Sequence, residues 1–194
     1  MNGMNGMNGM NGMNGMNGIS TIIGALDVAG YYGPIILFLF SVMLLLGRKL
    51  YTLGMIYILG FAFNIFFNLI LKGIIKQPRP TENKHLFHLE KQTDRFVSLD
   101  RYGMPSGHAQ SVFYSSIFIW MSLKNVWISV IYLLISFNTI YQRIKYKKHS
   151  VNQVIVGGII GVLVGYGVFL FSQKKIRGSM RERAEDNALT SRKI

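Results

Sequence analysis

The chain has 194 residues, a formal net charge of +13, an apolar half and no cysteine. A charge this positive beside a positive mean hydropathy excludes an ordinary soluble domain, and the lack of cysteine excludes a disulfide frame, a thiolate metal site and a cysteine nucleophile. The basic residues flank apolar runs and do not share a soluble face with aromatic side chains, which points to a lipid bilayer and phosphate as partners and away from nucleic acid.

Residues 1–18 are six copies of Met-Asn-Gly. With neither a basic n-region nor an apolar h-region they are no signal peptide; they read as a disordered leader, or a run of alternative starts, outside the fold. Residues 19–30 are expected to form an interfacial or re-entrant helix. Five apolar runs follow, 28–46, 51–71, 109–123, 126–142 and 151–172, each near the roughly 20 residues of a spanning helix, the third and fourth somewhat short. The pattern predicts an all-α integral membrane bundle of five to six spans over residues 19–172, with a basic tail over 173–194. Trp120 and Trp127 bracket the turn at Lys124, as an interfacial belt requires. Gly157, Gly161 and Gly165, spaced by four, mark a face for close helix packing. Asn64, Asn68 and Asn138 are expected to face the bundle interior.

If all five runs cross, segments 72–104 and 142–150 share one face, and Arg48, Lys49, Lys124 and the tail lie on the other. The Lys and Arg residues divide 11 to 10 between these faces. Setting aside Lys72, Arg79 and Arg143 as phosphate ligands leaves a small excess on the tail side. That excess predicts a cytoplasmic tail and an extracytoplasmic active-site face, luminal in the endoplasmic reticulum of a eukaryotic host.

Three stretches fall on the first face: Lys72 to Pro80, with prolines on both sides of Arg79; Pro105-Ser106-Gly107-His108 at the start of the third run; and Arg143 to His149. Proline suits the first position of a helix, and the amides of Ser106 and Gly107, with the serine hydroxyl, offer an anion site. Each piece has a plainer reading: a simple N-cap with a surface histidine, snorkelling cations, or a basic loop on lipid headgroups. Together, three cations around a helix N-terminus suit the charge of a phosphoryl transition state. Of two histidines, one can attack as neutral imidazole while the other protonates the leaving oxygen. His85 and His88 read as loop residues, and no metal-ligand pattern accompanies them.

This order of motifs, Lys72-x6-Arg79-Pro80, then Pro-Ser-Gly-His, then Arg143-x5-His149, resembles the signature of the type 2 phosphatidic acid phosphatase superfamily, over residues 31–172. The resemblance implies a six-span helical bundle with residues 19–30 standing in for one span. It implies His149 as nucleophile, His108 as general acid, phosphate held by Lys72, Arg79, Ser106, Gly107 and Arg143, and no metal or other cofactor. The sequence departs from the family pattern at Gln142, where serine is common, and at Gln153, where an aspartate usually stands four residues after the nucleophile. At i, i+4 on a helix, Gln153 is expected to accept the second ring N–H of His149 and fix its tautomer without stabilising the imidazolium. Glutamine there, with Gln-Pro-Arg-Pro and Tyr-Gly-Met-Pro-Ser, is similar to the dolichyl-diphosphatase branch. The expected activity is hydrolysis of a lipid-linked diphosphate through a phosphohistidine. Phosphatidate or another phospholipid is the alternative substrate, and a non-catalytic protein that binds phosphorylated lipid is the alternative class. The sequence does not fix an oligomeric state.

Overall fold

The computed structural model describes residues 21–80 and 102–191, with side chains described to residue 184. The leader and the loop carrying His85 and His88 lie outside the described residues. These residues form helices and no strands: α1 (Thr21–Tyr31), α2 (Gly33–Gly47), α3 (Tyr51–Ile75), α4 (Gly107–Leu123), α5 (Val126–Lys145) and α6 (Val151–Ser191). The run expected over 28–46 is not one helix, because α1 and α2 meet at 67°. Pro34, in the first turn of α2, has no N–H to continue the helical ladder, and its ring crowds the preceding turn. At the other end, α6 runs without a break past residue 172 into the basic tail.

Along α3 the exposed side chains are Met55, Leu59, Phe63, Phe66, Ile70 and Ile74, whereas Gly60, Asn64, Asn68 and Lys72 are buried. Polar inside and apolar outside inverts the rule for a helix in water and suits one in lipid, where backbone and polar groups must be satisfied internally. By length and composition α3 and α6 are each able to cross a membrane, and the bent α1–α2 pair makes a third candidate. At 25 residues α3 is about 37 Å long, enough for the ~30 Å hydrocarbon core. The five to six expected spans thus reduce to two or three by this measure. At 17 residues α4 is short for a span, and it packs against α2, α3, α5 and α6, so its polar side chains find partners inside the bundle. Ser115 bonds Tyr57 at 2.8 Å, Ser116 bonds Ser136 at 3.0 Å, and Gln110 Nε2 donates to Asn64 Oδ1 at 2.9 Å. Around it Leu37, Leu45, Tyr57, Tyr114, Phe118 and Tyr132 form the apolar core.

The glycine face of α6 lies on α4. A Cβ at Gly161 would meet the backbone of Gln110, and one at Gly165 the backbone of Tyr114. Trp120 lies beneath the Lys124 ammonium, 5.6 Å from ring centre to nitrogen. Asn64 and Asn68 are buried as expected, and Asn138 donates to the Leu26 carbonyl at 2.9 Å, tying α1 to α5.

Candidate active site

All three motifs meet at one end of the bundle. Lys72, 1% exposed, sits in the last turn of α3. The helix closes at Lys76, in the left-handed region at φ 50°, and the prolines on either side of Arg79 prevent another turn. The chain is picked up again at Gly103, whose N–H donates to the Gln77 carbonyl at 2.8 Å, so the first two motifs are joined by backbone.

Pro105 is not the first helical residue as expected. Ser106 is the N-cap of α4, in extended conformation, with Oγ accepting from the Ala109 N–H at 3.5 Å. Its own N–H is committed to the Gln153 carbonyl at 3.0 Å, so it cannot also serve an anion. The first-turn amides of Gly107 and His108 are the donors that helix geometry leaves pointing outward. Asn68 fixes this N-terminus on α3, donating to the Pro105 carbonyl at 3.3 Å and to Gln110 Oε1 at 2.7 Å.

The third motif is aimed by how α5 ends. Lys147, at φ 53°, donates to the Ile144 carbonyl at 2.9 Å, and Lys148 donates to the Arg143 carbonyl at 3.0 Å; this is a Schellman closure, which reverses the chain. It returns His149, 3% exposed, to the site beside Arg143, 4% exposed. A basic loop on lipid headgroups would leave its cations in solvent, yet Lys148 is buried. Lys145 Nζ pairs with Asp27 Oδ2 at 2.6 Å, and Tyr146 also donates to that carboxylate at 3.0 Å.

His149 Nδ1 lies 2.8 Å from the Gly103 carbonyl. A carbonyl only accepts, so Nδ1 carries the hydrogen and Nε2 keeps its lone pair. The expected bond from His149 to Gln153 is absent. His149 precedes α6, which starts at Val151, and so does not share a helical face with Gln153. Gln153 instead makes a capping box with Ser150: its Oε1 accepts from the Ser150 N–H at 3.1 Å, and its N–H donates to Ser150 Oγ at 3.4 Å. Its Nε2 donates to the Pro78 carbonyl at 2.9 Å and to Gln77 Oε1 at 3.3 Å.

Burial holds His149 well below the usual imidazole range, and the charges of Arg79, Arg143 and Lys72 push the same way, opposed by the Gly103 hydrogen bond. His108 lies in the same field, within reach of Arg143, His149, Lys72 and Arg79. The structure therefore brings together His149, His108, Lys72, Arg79, Arg143, Ser106 and Gly107. Such a group can hold a phosphate, whose negative charge offsets the cations around His108 and lets that ring keep a proton to give, and can attack it with the unprotonated His149 nitrogen. No cluster of three or more metal-ligating side chains occurs among the described residues.

Sequence reasoning missed three participants. Tyr31 stands beside both the Arg143 guanidinium, 5.6 Å from its ring centre, and His108, 6.0 Å between rings. Gly103 supplies the carbonyl to His149. Asp27 anchors α1, and its signal was available: it is the one acidic residue between positions 19 and 80, in an apolar segment where a carboxylate needs a partner. A cavity of about 450 Å³ opens beside His108, with Tyr31, Tyr32, Pro34, Ile35 and Leu69 in its lining.

A helical bundle that gathers two histidines and three cations at one helix N-terminus has the charge to hold an anion there. The PAP2 superfamily model matches residues 53–177, well over half of the chain, and the chain belongs to that superfamily. It is 28% identical to human dolichyldiphosphatase 1 over 70% of this chain and 58% of that protein. It is 37% identical to dolichyldiphosphatase of Saccharomyces cerevisiae over 55% of this chain and 46% of that protein. The Arabidopsis thaliana protein lipid phosphate phosphatase epsilon 1, chloroplastic, is 31% identical over 55% of this chain and 36% of its own length. The chain thus spans about half the length of the curated relatives it matches. No solved structure matches it significantly.

Proposed function

We propose that the chain is a membrane phosphatase that hydrolyses a lipid-linked diphosphate to the monophosphate through a phosphohistidine. The observation that carries this reading is the convergence of His149 and His108 with Lys72, Arg79 and Arg143 at the start of α4. The cations and the Gly107 and His108 amides hold the terminal phosphate and take up the charge on its equatorial oxygens. His149 Nε2 attacks phosphorus while His108 gives its proton to the departing lipid monophosphate. Water then attacks the phosphohistidine, His108 takes a proton from it, the N–P bond breaks, and inorganic phosphate leaves. The apolar cavity beside His108 suits a substrate whose chain stays in the bilayer. The dolichyldiphosphatase names of the human and yeast relatives support the diphosphate, and the name of the Arabidopsis relative keeps a lipid phosphate monoester as the second substrate.

The test is a purified-protein assay with polyprenyl diphosphate beside phosphatidate. The diphosphate is expected to turn over faster. His149→Ala should abolish both turnover and acid-labile phosphate on the protein, and a His149→Ala protein that still accumulates such phosphate overturns the nucleophile. The active-site face is proposed to be extracytoplasmic, in the endoplasmic reticulum lumen of a eukaryotic host.

A further inference from the structure

Gly103 has both backbone groups committed across motifs: its N–H to the Gln77 carbonyl and its carbonyl to His149. It is also buried against Gln153, where an added Cβ would come 2.6 Å from both side-chain amide atoms. Gln153 in turn touches every part of the site's frame. It holds Pro78 and Gln77 through Nε2, Ser150 through its capping box and the Ser106 N–H through its carbonyl. We infer that the Gly103 carbonyl is the group that orients His149, and that Gln153 is a positioning residue which holds this carbonyl in place and never touches the ring itself. The inference rests on His149 being the nucleophile of the proposed phosphatase.

A carbonyl acceptor fixes the Nδ1–H tautomer and leaves Nε2 free to attack, with no negative charge beside the ring. The amide at position 153 then follows from geometry. The Pro78 carbonyl and Gln77 Oε1 both need a donor, the Ser150 N–H needs an acceptor, and a side-chain amide supplies both. A carboxylate would face two oxygens with no hydrogen to give them. Glycine at 103 follows too, since any side chain would displace the brace.

The experiment uses the full chain in detergent micelles with ring-15N histidine. His149 is assigned by its loss in His149→Ala, and kcat and KM are measured in parallel. The charged and titratable groups facing His149 are Lys72 and Arg79 from the α3 side, Arg143 from the end of α5, and His108 of α4; none is altered. Wild-type protein is expected to show the Nδ1–H tautomer. Gly103→Ala and Gln153→Glu should show a tautomer mixture and a kcat lower by about ten- to a hundredfold, with KM changed by less than about threefold. Gln153→Glu should regain part of its kcat as pH falls through the carboxyl pKa, because the protonated acid can again donate to Pro78. Gly103→Ala should cost less in a Gln153→Ala background, where the added methyl has room. An Nε2–H tautomer in wild type, unchanged kcat in both single variants, or strictly additive effects in the double variant would each overturn the inference. Wild-type protein without turnover would instead overturn the phosphatase reading, and His149→Ala with turnover the assignment of the nucleophile; the tautomer result would stand apart from both.

Discussion

At the scale of single residues, the proposed nucleophile His149 is expected to set the acid side of the pH dependence of turnover. Burial and the charges of Arg79, Arg143 and Lys72 all disfavour its imidazolium, so the ring stays neutral to lower pH than a free histidine. The acid limb of kcat/KM is therefore expected well below the ordinary imidazole range. Removing a cation relieves the depression, raises the His149 pKa and moves the limb to higher pH. Arg79→Gln should show that shift on whatever activity it retains, and an unmoved limb would place Arg79 outside the field of the nucleophile. The same cations predict inhibition by vanadate, whose five-coordinate form resembles the transition state, and activity that survives EDTA. A preparation inactivated by EDTA and restored by magnesium contradicts this. The histidines and cations were legible because motif order alone names them. The partner of His149 was not, because a backbone carbonyl leaves no trace in residue type. The i, i+4 expectation for Gln153 assumed that a helix already included His149.

At the scale of elements, α1 is held by one buried carboxylate. Asp27, paired with Lys145 and Tyr146, docks the helix that ends in Tyr31, whose ring lies against Arg143 and His108. Asp27→Asn keeps the shape but loses the charge pairing, at a cost of about 1 kcal/mol for a partly exposed pair. It is expected to raise KM severalfold with little change in kcat, because Tyr31 bounds the site without taking part in proton or phosphoryl transfer. A fall in kcat at unchanged KM would show that α1 supports the catalytic groups themselves. On α6 the glycines separate by environment. Gly161→Val pushes against the Gln110 backbone and should destabilise by about 1–3 kcal/mol, whereas Gly167→Ala, with open space around it, should be neutral or stabilise by up to about 1 kcal/mol. Thermal unfolding of both variants in one detergent checks the contrast. The glycine face was legible from its spacing. The separate helix expected over 19–30 corresponds to α1, but the place of its bend into α2 was not legible, because hydropathy runs straight through Pro34 while the backbone does not.

At the scale of the whole molecule, apolar runs marked the helical bundle, of which two helices and one bent pair are long and apolar enough to cross a membrane by length and composition. A helix surrounded by others, such as α4, carries serines and glutamine that lower its hydropathy and are satisfied only in three dimensions. The proposed orientation belongs to this scale and rests on a small charge difference between the two faces. A glycosylation reporter at the C-terminus should remain unglycosylated, and modification of that reporter would place the three motifs in the cytoplasm.

The contact of α6 with α4 is far more extensive than that of α2 or α3 with α4, and at Gly161 it brings helix to backbone with no side chain between. The bond from the Ser106 N–H to the Gln153 carbonyl closes the same contact at its catalytic end. His108 and His149 therefore ride on one stiff body, and their separation hardly changes as the rest of the bundle moves. Lys72 and Arg79 are tied to that body as well, through Asn68 on the α4 N-terminus and the Gln153 amide on Pro78 and Gln77, which leaves α1, with Tyr31, as the separately held edge of the site. Admission of a lipid headgroup should part the molecule along that edge. In hydrogen exchange, amides of α4 and the first half of α6 should exchange slowest and those of α1 fastest, and a bound phosphate analogue should slow α1 alone.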